Sequence, residues 1–83
     1  MSYVPAPKTL EAFPKAKLVD KKTPVQGGSG LRKRWKDKKY IYEWDSRHGL
    51  VEKYDKRGNH LGEFNPVTGE KINPRVASRR IIV

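Results

Sequence analysis

Residues 40–54 read "YIYEWDSRHGLVEKY". Both ends of this stretch are rich in aromatic and β-branched residues, which favour strands, and its centre, "SRHG", has the composition of a turn. It predicts a β-hairpin. Pairing Asp45 with Leu50 sets Glu43 opposite Glu52 and Ile41 opposite Tyr54. Cross-strand partners share a face, as do residues two apart on one strand. Asp45, Glu43, Glu52 and Tyr54 then line one side. Tyr40, Tyr42 and Trp44 line the other, the expected packing face. His48 falls in the loop, near the end where Asp45 lies. A one-residue slip would scatter this set.

Outward from the hairpin, "HLGEF" reads as a third strand. It follows "DKRGN", where Gly58 supplies the positive φ of a tight turn. "NPVTGE" is another turn, with Pro66 and Gly69, and the terminal "RRIIV" reads as a last strand. Towards the N-terminus, Pro5, Pro7, Pro14 and Pro24 block long helices and ladders. One short helix is expected at "TLEAF", with Thr9 as N-cap and Pro14 ending it. Gly27 to Gly30 read as a flexible joint. The expected fold is mainly β: a small, twisted antiparallel sheet with a short N-terminal helix and an extended N-terminal arm. Residues 1–30 form the arm and joint, and residues 31–83 the β domain, within a single domain overall.

Composition narrows the function. The 83 residues carry 19 Lys/Arg against 9 Asp/Glu, a net charge of +10, and the pI is about 10.1. Such a chain favours polyanions: RNA, DNA or acidic proteins. An anionic membrane is disfavoured, because no basic amphipathic helix is present. No apolar run approaches membrane-spanning length, and "MSYVPAPKT" has no apolar core of a secretory signal. There is no cysteine, hence no disulfide and no thiolate metal site. With 35% hydrophobic residues the core must be thin.

The charge is unevenly spread. Residues 31–40 hold six basic groups and one acid, residues 41–70 four basic groups and six acids, and residues 71–83 four basic groups and no acid. An acidic island thus sits between basic flanks, where a protein that only gripped phosphate would gain by losing it. Two facing carboxylates raise at least one pKa by like-charge repulsion, which suits a general base near neutral pH, while basic neighbours pull the other way. Asp45, His48 and Glu52 are therefore candidates for acid–base chemistry. The plain alternative is solvated charge around an inert turn histidine.

The cluster Arg32, Lys33, Arg34, Lys36, Lys38 and Lys39 is expected to contact RNA phosphates, or else to serve solubility. Trp35, Tyr40, Tyr42 and Trp44 could stack on bases, but a domain this small needs Tyr42 and Trp44 in its core. Tyr54 shares the face of Glu52 and is an expected RNA contact. His60 reads as structural. His48 and His60 lack the spacing of a metal-ligand pair, so no metal site is expected.

The ordered series of a Gly-rich joint, "KRW", "IYEWDSRHG", a Glu four residues after the His, and "HLGEFNPVTG" resembles the ribosome-inactivating ribonuclease domain of the colicin and cloacin group. The resemblance runs from about Pro5 to Ile72. The shared pattern, "HLGxFxPxTG", leaves position 63 open. The resemblance implies a strongly twisted antiparallel sheet with an N-terminal helical piece. It implies cleavage of one phosphodiester bond in the decoding centre of 16S ribosomal RNA, without metal or cofactor. The 2′-OH next to the scissile bond attacks phosphorus, giving a 2′,3′-cyclic phosphate and a 5′-OH. By matching spacing, Asp45, His48 and Glu52 take the catalytic positions. Glu52 is expected as general base, His48 as general acid or as the group holding Glu52, and Asp45 as the group orienting His48. The family's arginine, after a Pro near the C-terminus, falls on Arg75 in "INPRVASRRIIV", with Arg79 the alternative.

The resemblance also implies partners: the 30S subunit or 70S ribosome, and an acidic immunity protein attracted by charge. A monomer is expected. The start at Met1 with a proline-rich arm reads as a module of a larger bacteriocin, delivered from a producing bacterium to act in a target's cytoplasm; a free-standing toxin is the other form. Two competing classes are a non-enzymatic basic RNA- or ribosome-binding protein and a DNase toxin. The first leaves the Asp45/His48/Glu52 spacing unexplained, and the second needs clustered histidines that the chain lacks.

Overall fold

The computed structural model describes residues 3–83; the first two residues of the predicted arm lie outside it. Six strands, β1 (Lys17–Val19), β2 (Arg34–Lys36), β3 (Tyr40–Asp45), β4 (Leu50–Asp55), β5 (His60–Phe64) and β6 (Lys71–Asn73), form one antiparallel sheet. Their order in the sheet is their order in the chain, the meander expected from short strands joined by turns. The central hairpin takes the predicted register: Asp45 faces Leu50, Glu43 faces Glu52 and Ile41 faces Tyr54.

One face of the sheet is the aromatic core. Trp35, Tyr42, Trp44 and Val51 lie there, and Leu10 and Ala16 from the arm are buried against them. The arm is thus built into the domain. Its backbone carbonyls also receive the indole N–H groups, Trp44 donating to Val4 (2.8 Å) and Trp35 to Lys8 (3.2 Å). Each tryptophan can then be buried without an orphan donor. The glycine-rich joint is a closed loop, with Val25 N–H bonded to the Gly30 carbonyl (3.0 Å) and a bridge between Pro24 and Leu31.

The expected helix at "TLEAF" is not formed. Phe13 N–H bonds to the Leu10 carbonyl and Ala16 N–H to the Phe13 carbonyl, while Ala12 N–H reaches Pro66 on the far turn. Between Thr9 and Pro14 there are too few residues to offset helix nucleation. Three-residue turns that tuck Leu10 and Phe13 against the aromatic face win instead. Nor does "RRIIV" form a strand. Apart from one bridge between Asn59 and Arg80, the tail is anchored by a bend at Val76–Arg79 and by the bond from Ile81 N–H to the Gly58 carbonyl (3.0 Å).

The second face carries an unusual row. Arg34 pairs with Glu43, Glu43 with Glu52, Glu52 with Glu63, and Glu63 with Asn73. Three glutamates therefore stand directly opposite one another across β3, β4 and β5, and all three are buried. Like charges so placed repel, so each needs its own compensation. The loop before β2 and the C-terminal tail cover this face and supply it.

Candidate active site

The compensation differs along the row. Glu43 Oε2 accepts from Arg34 Nε (2.9 Å) and Thr23 Oγ1 (2.6 Å), and Arg34 Nη2 lies 2.8 Å away. Glu52 Oε1 meets His60 Nε2 at 2.8 Å, and its Oε2 meets Arg79 Nη2 at 2.8 Å with Arg32 Nη1 at 3.7 Å. Glu63 Oε1 accepts from Asn73 Nδ2 at 2.6 Å, and a Glu63 carboxyl oxygen lies within 4.8 Å of one of Asp45.

At the end of the hairpin, Asp45 Oδ2 lies 2.7 Å from His48 Nδ1, and Oδ1 accepts the Arg47 N–H (3.0 Å). The aspartate is buried, whereas the histidine side chain is 62% exposed. Since a carboxylate accepts, Nδ1 carries the proton and Nε2 faces outward. Burial raises the Asp45 pKa, but hydrogen bonds from Glu63 and His48 outweigh it and hold the group at about 2. The Asp45 contact raises the pKa of His48. Glu63 is pushed up to about 7, by burial first and then by its contact with Asp45.

Asp45, His48, Glu52, His60, Glu63, Arg32 and Arg79 line a single cleft of about 160 Å³. Three of the expected site residues, Asp45, His48 and Glu52, are thus brought together. Arg75 is exposed and does not line the cleft; Arg79 does. The bend at Val76–Arg79 turns the tail so that Arg79, four residues further on, faces Glu52.

Three members of the expected RNA-contact set, Tyr54, Arg34 and Arg32, are withdrawn from the surface. Tyr54 is fully buried against His60, with ring centroids 5.3 Å apart. Arg34 is buried in its pair with Glu43. Tyr54 and Arg34 sit on the face expected to carry acid, and that face is covered rather than solvated. Lys36, Lys38 and Lys39 are exposed, and Lys33 is half-buried, with Nζ donating to the Pro7 carbonyl (2.5 Å). Arg32 belongs to the cleft rather than to the outer surface.

His60 and Glu63 are the residues that sequence reasoning missed. His60 reaches Glu52 because of a β-bulge. The β4–β5 register shifts between Lys53 and Tyr54, so that Tyr54 pairs with His60 and Leu61 is left over. Without that extra residue His60 would point to the aromatic face. Its Nδ1 accepts the Val76 N–H (2.9 Å), so Nε2 carries the hydrogen and donates to Glu52. Glu63 was signalled by alternation in "HLGEF", which places it beside Glu52 once the bulge is known. Asp45, His48 and Glu63 are also the one group, among the described residues, whose three ligand atoms lie within 4.8 Å of one another.

Fold and cleft together define a small cationic β domain that gathers acid, base and guanidinium groups under a covering tail. A family model described as Cytotoxic matches residues 4–82, and the chain belongs to that family, as a cytotoxic domain of the colicin group. It is 44% identical to cloacin and 45% identical to colicin E3, both from Escherichia coli, over 95% of its own length. Colicin-E6 of the same organism is 44% identical over the same share. The chain spans about 15% of the length of each of these relatives.

Proposed function

We propose that this domain is an endoribonuclease that cuts one phosphodiester bond in the decoding centre of 16S ribosomal RNA and so stops translation. The observation that carries the reading is the meeting of Asp45, His48, Glu52 and Arg79 in one cleft. Glu52 takes the proton of the 2′-OH, and the freed oxygen attacks phosphorus. The bond from phosphorus to the 5′-oxygen breaks, and His48, as the imidazolium with protons on both ring nitrogens, gives that oxygen the one on Nε2. The raised pKa of His48 supports its role as the acid. Asp45 fixes the imidazole from behind through Nδ1. Arg79, its side chain about one-third exposed beside Glu52, is the group to meet the charge growing on the phosphoryl oxygens.

The products are a 2′,3′-cyclic phosphate and a 5′-OH, and the need for a 2′-OH excludes DNA as substrate. The exposed Lys36, Lys38 and Lys39 are the proposed phosphate contacts that set the domain on the ribosome. An acidic immunity protein is the proposed partner in a producing bacterium, and the target's cytoplasm is the proposed place of action. The chemistry is tested on the ends of cleaved ribosomal RNA. A 2′,3′-cyclic phosphate is expected; a 3′-OH beside a 5′-phosphate would overturn the mechanism.

A further inference from the structure

Glu63 stands in a row of three facing glutamates, yet among the described residues it alone has no arginine paired with it. Glu43 has Arg34, and Glu52 has Arg79 with Arg32 behind it. Glu63 has an amide, Asn73, and another carboxyl, Asp45. The nearest basic atom, His48 Nδ1, is 3.8 Å from Glu63 Oε2 and already lies 2.7 Å from Asp45. Glu63 and Asp45 are both buried, with carboxyl oxygens within 4.8 Å of each other, and two such groups repel when both are ionised, which favours a proton on one of them. Glycine at position 62 lets this happen. Its φ is 142°, and a Cβ there would come within 2.9 Å of the Asn73 carbonyl oxygen. Only glycine lets β6 approach closely enough for Asn73 to meet Glu63.

We propose that Glu63 is a positioning residue of this cleft: as a neutral carboxylic acid it donates a hydrogen bond to Asp45 and so fixes the carboxylate that holds His48. Asn73 orients the acid by occupying Oε1, which leaves Oε2 for the proton directed at Asp45. The ionisation of the pair follows the same division, with Asp45 held down at about 2 and Glu63 pushed up to about 7. The charged and titratable groups around Glu63 are Asp45 from β3, His48 and Arg47 from the hairpin loop, Glu52 from β4, His60 at the start of β5, and Arg32 and Arg79 beyond Glu52. Loss of the proton as pH rises through neutrality adds a second negative charge beside Asp45. The hydrogen bond is then lost, and the grip on the imidazole loosens while its proton is held more tightly.

The pairing is tested without RNA, and its consequence with RNA; only the second arm rests on the ribonuclease reading. In the first, the Glu63 carboxyl and the His48 ring are followed by NMR from pH 4 to pH 9 in the whole chain and in Glu63→Gln. The wild-type carboxyl is expected to titrate near neutrality, and the His48 curve to carry a second inflection there. Glu63→Gln removes that inflection and lowers the His48 midpoint. Glutamine is the right substitute because its amide oxygen still accepts from Asn73 and its N–H still donates to Asp45. A Glu63 carboxyl that titrates below pH 5, or His48 curves that coincide, would overturn the proposal.

In the second arm, RNA cleavage is measured against pH. Glu63→Ala is expected to be slowed about tenfold or more at pH 6, with most of the rate recovered in Glu63→Gln. The glutamine variant should also lack the wild type's change in rate near pH 7. Equal losses in both variants with an unaltered profile would overturn the positioning role. A wild-type protein that cuts nothing while its carboxyls behave as described would refute the ribonuclease reading and leave the carboxyl pair standing.

Discussion

His60 Nε2 donates to Glu52 Oε1 across 2.8 Å, and the direction of that bond is fixed from behind by the Val76 N–H on Nδ1. The imidazole is therefore a neutral clamp, supplied by a bulge, on the buried carboxylate proposed as the base. His60→Ala should lower kcat for RNA cleavage roughly 10- to 100-fold with little change in KM, as expected when a supporting partner is lost. His60→Gln, which keeps an N–H donor, should recover part of that rate. Steady-state kinetics on ribosomes check both.

The two arginines of the tail should separate cleanly. Arg79→Ala is expected to reduce cleavage by about 10²- to 10³-fold, the usual cost of removing a preorganised donor from developing charge. Arg75→Ala should stay within about threefold of wild type. Arg75 is exposed and outside the cleft. Gly58→Ala should mimic the loss of Arg79 without touching it. At that position φ is 88°, and a Cβ would collide with the Ile81 carbonyl oxygen, displacing the tail that carries Arg79.

Much of this was legible in residues 40–54. Alternation of aromatic and acidic residues set the hairpin and its two faces, because a one-residue slip would turn the partners of Tyr42 and Trp44 to the opposite side, and the short "SRHG" turn set the register between them. The flanks were harder. "KLV" of β1 and "KIN" of β6 are three-residue edge strands with every side chain exposed, so no alternation marks them. The arm looked detached because its prolines forbid regular structure; its packing depends on Leu10 and Ala16, spaced by turns rather than by a period. The acidic face was expected to be open. Its burial depends on the tail and on Arg34, contacts made across the sheet that no local pattern announces. His60 was hidden by a bulge that inverts the face of a single residue.

Arg34 and Glu43 should behave as structure, not as RNA contacts. Glu43→Ala leaves a buried guanidinium unpaired and is expected to cost about 3–5 kcal/mol, read as a lower urea midpoint. Lys36→Ala, Lys38→Ala and Lys39→Ala should leave stability within about 0.5 kcal/mol. Each should weaken ribosome binding and reduce its salt dependence by about one phosphate contact.

Stability should depend on pH in an uncommon direction. Glu63 has a folded pKa raised to about 7 from 4.5, so its contribution is complete below about pH 4.5 and fades as pH rises to 7. Asp45 has a folded pKa lowered to about 2 from 3.8, so its contribution is present above pH 3.8 and fades as pH falls through 2. The two together predict greatest stability near pH 4–5, with a loss on the order of 1–3 kcal/mol between there and neutrality. Urea unfolding at stepped pH checks this, and Glu63→Gln should flatten the neutral side of the curve.

The central claim is that the cleft cuts ribosomal RNA with Glu52 as base. The direct measurement is to incubate the purified chain with intact bacterial ribosomes in EDTA and map the RNA ends by primer extension, with Glu52→Gln alongside. One discrete cut in the decoding region of 16S RNA, absent with the variant, is the expected result. Intact RNA on ribosomes that nonetheless bind the wild-type chain tightly, or an equal cut by Glu52→Gln, would contradict it.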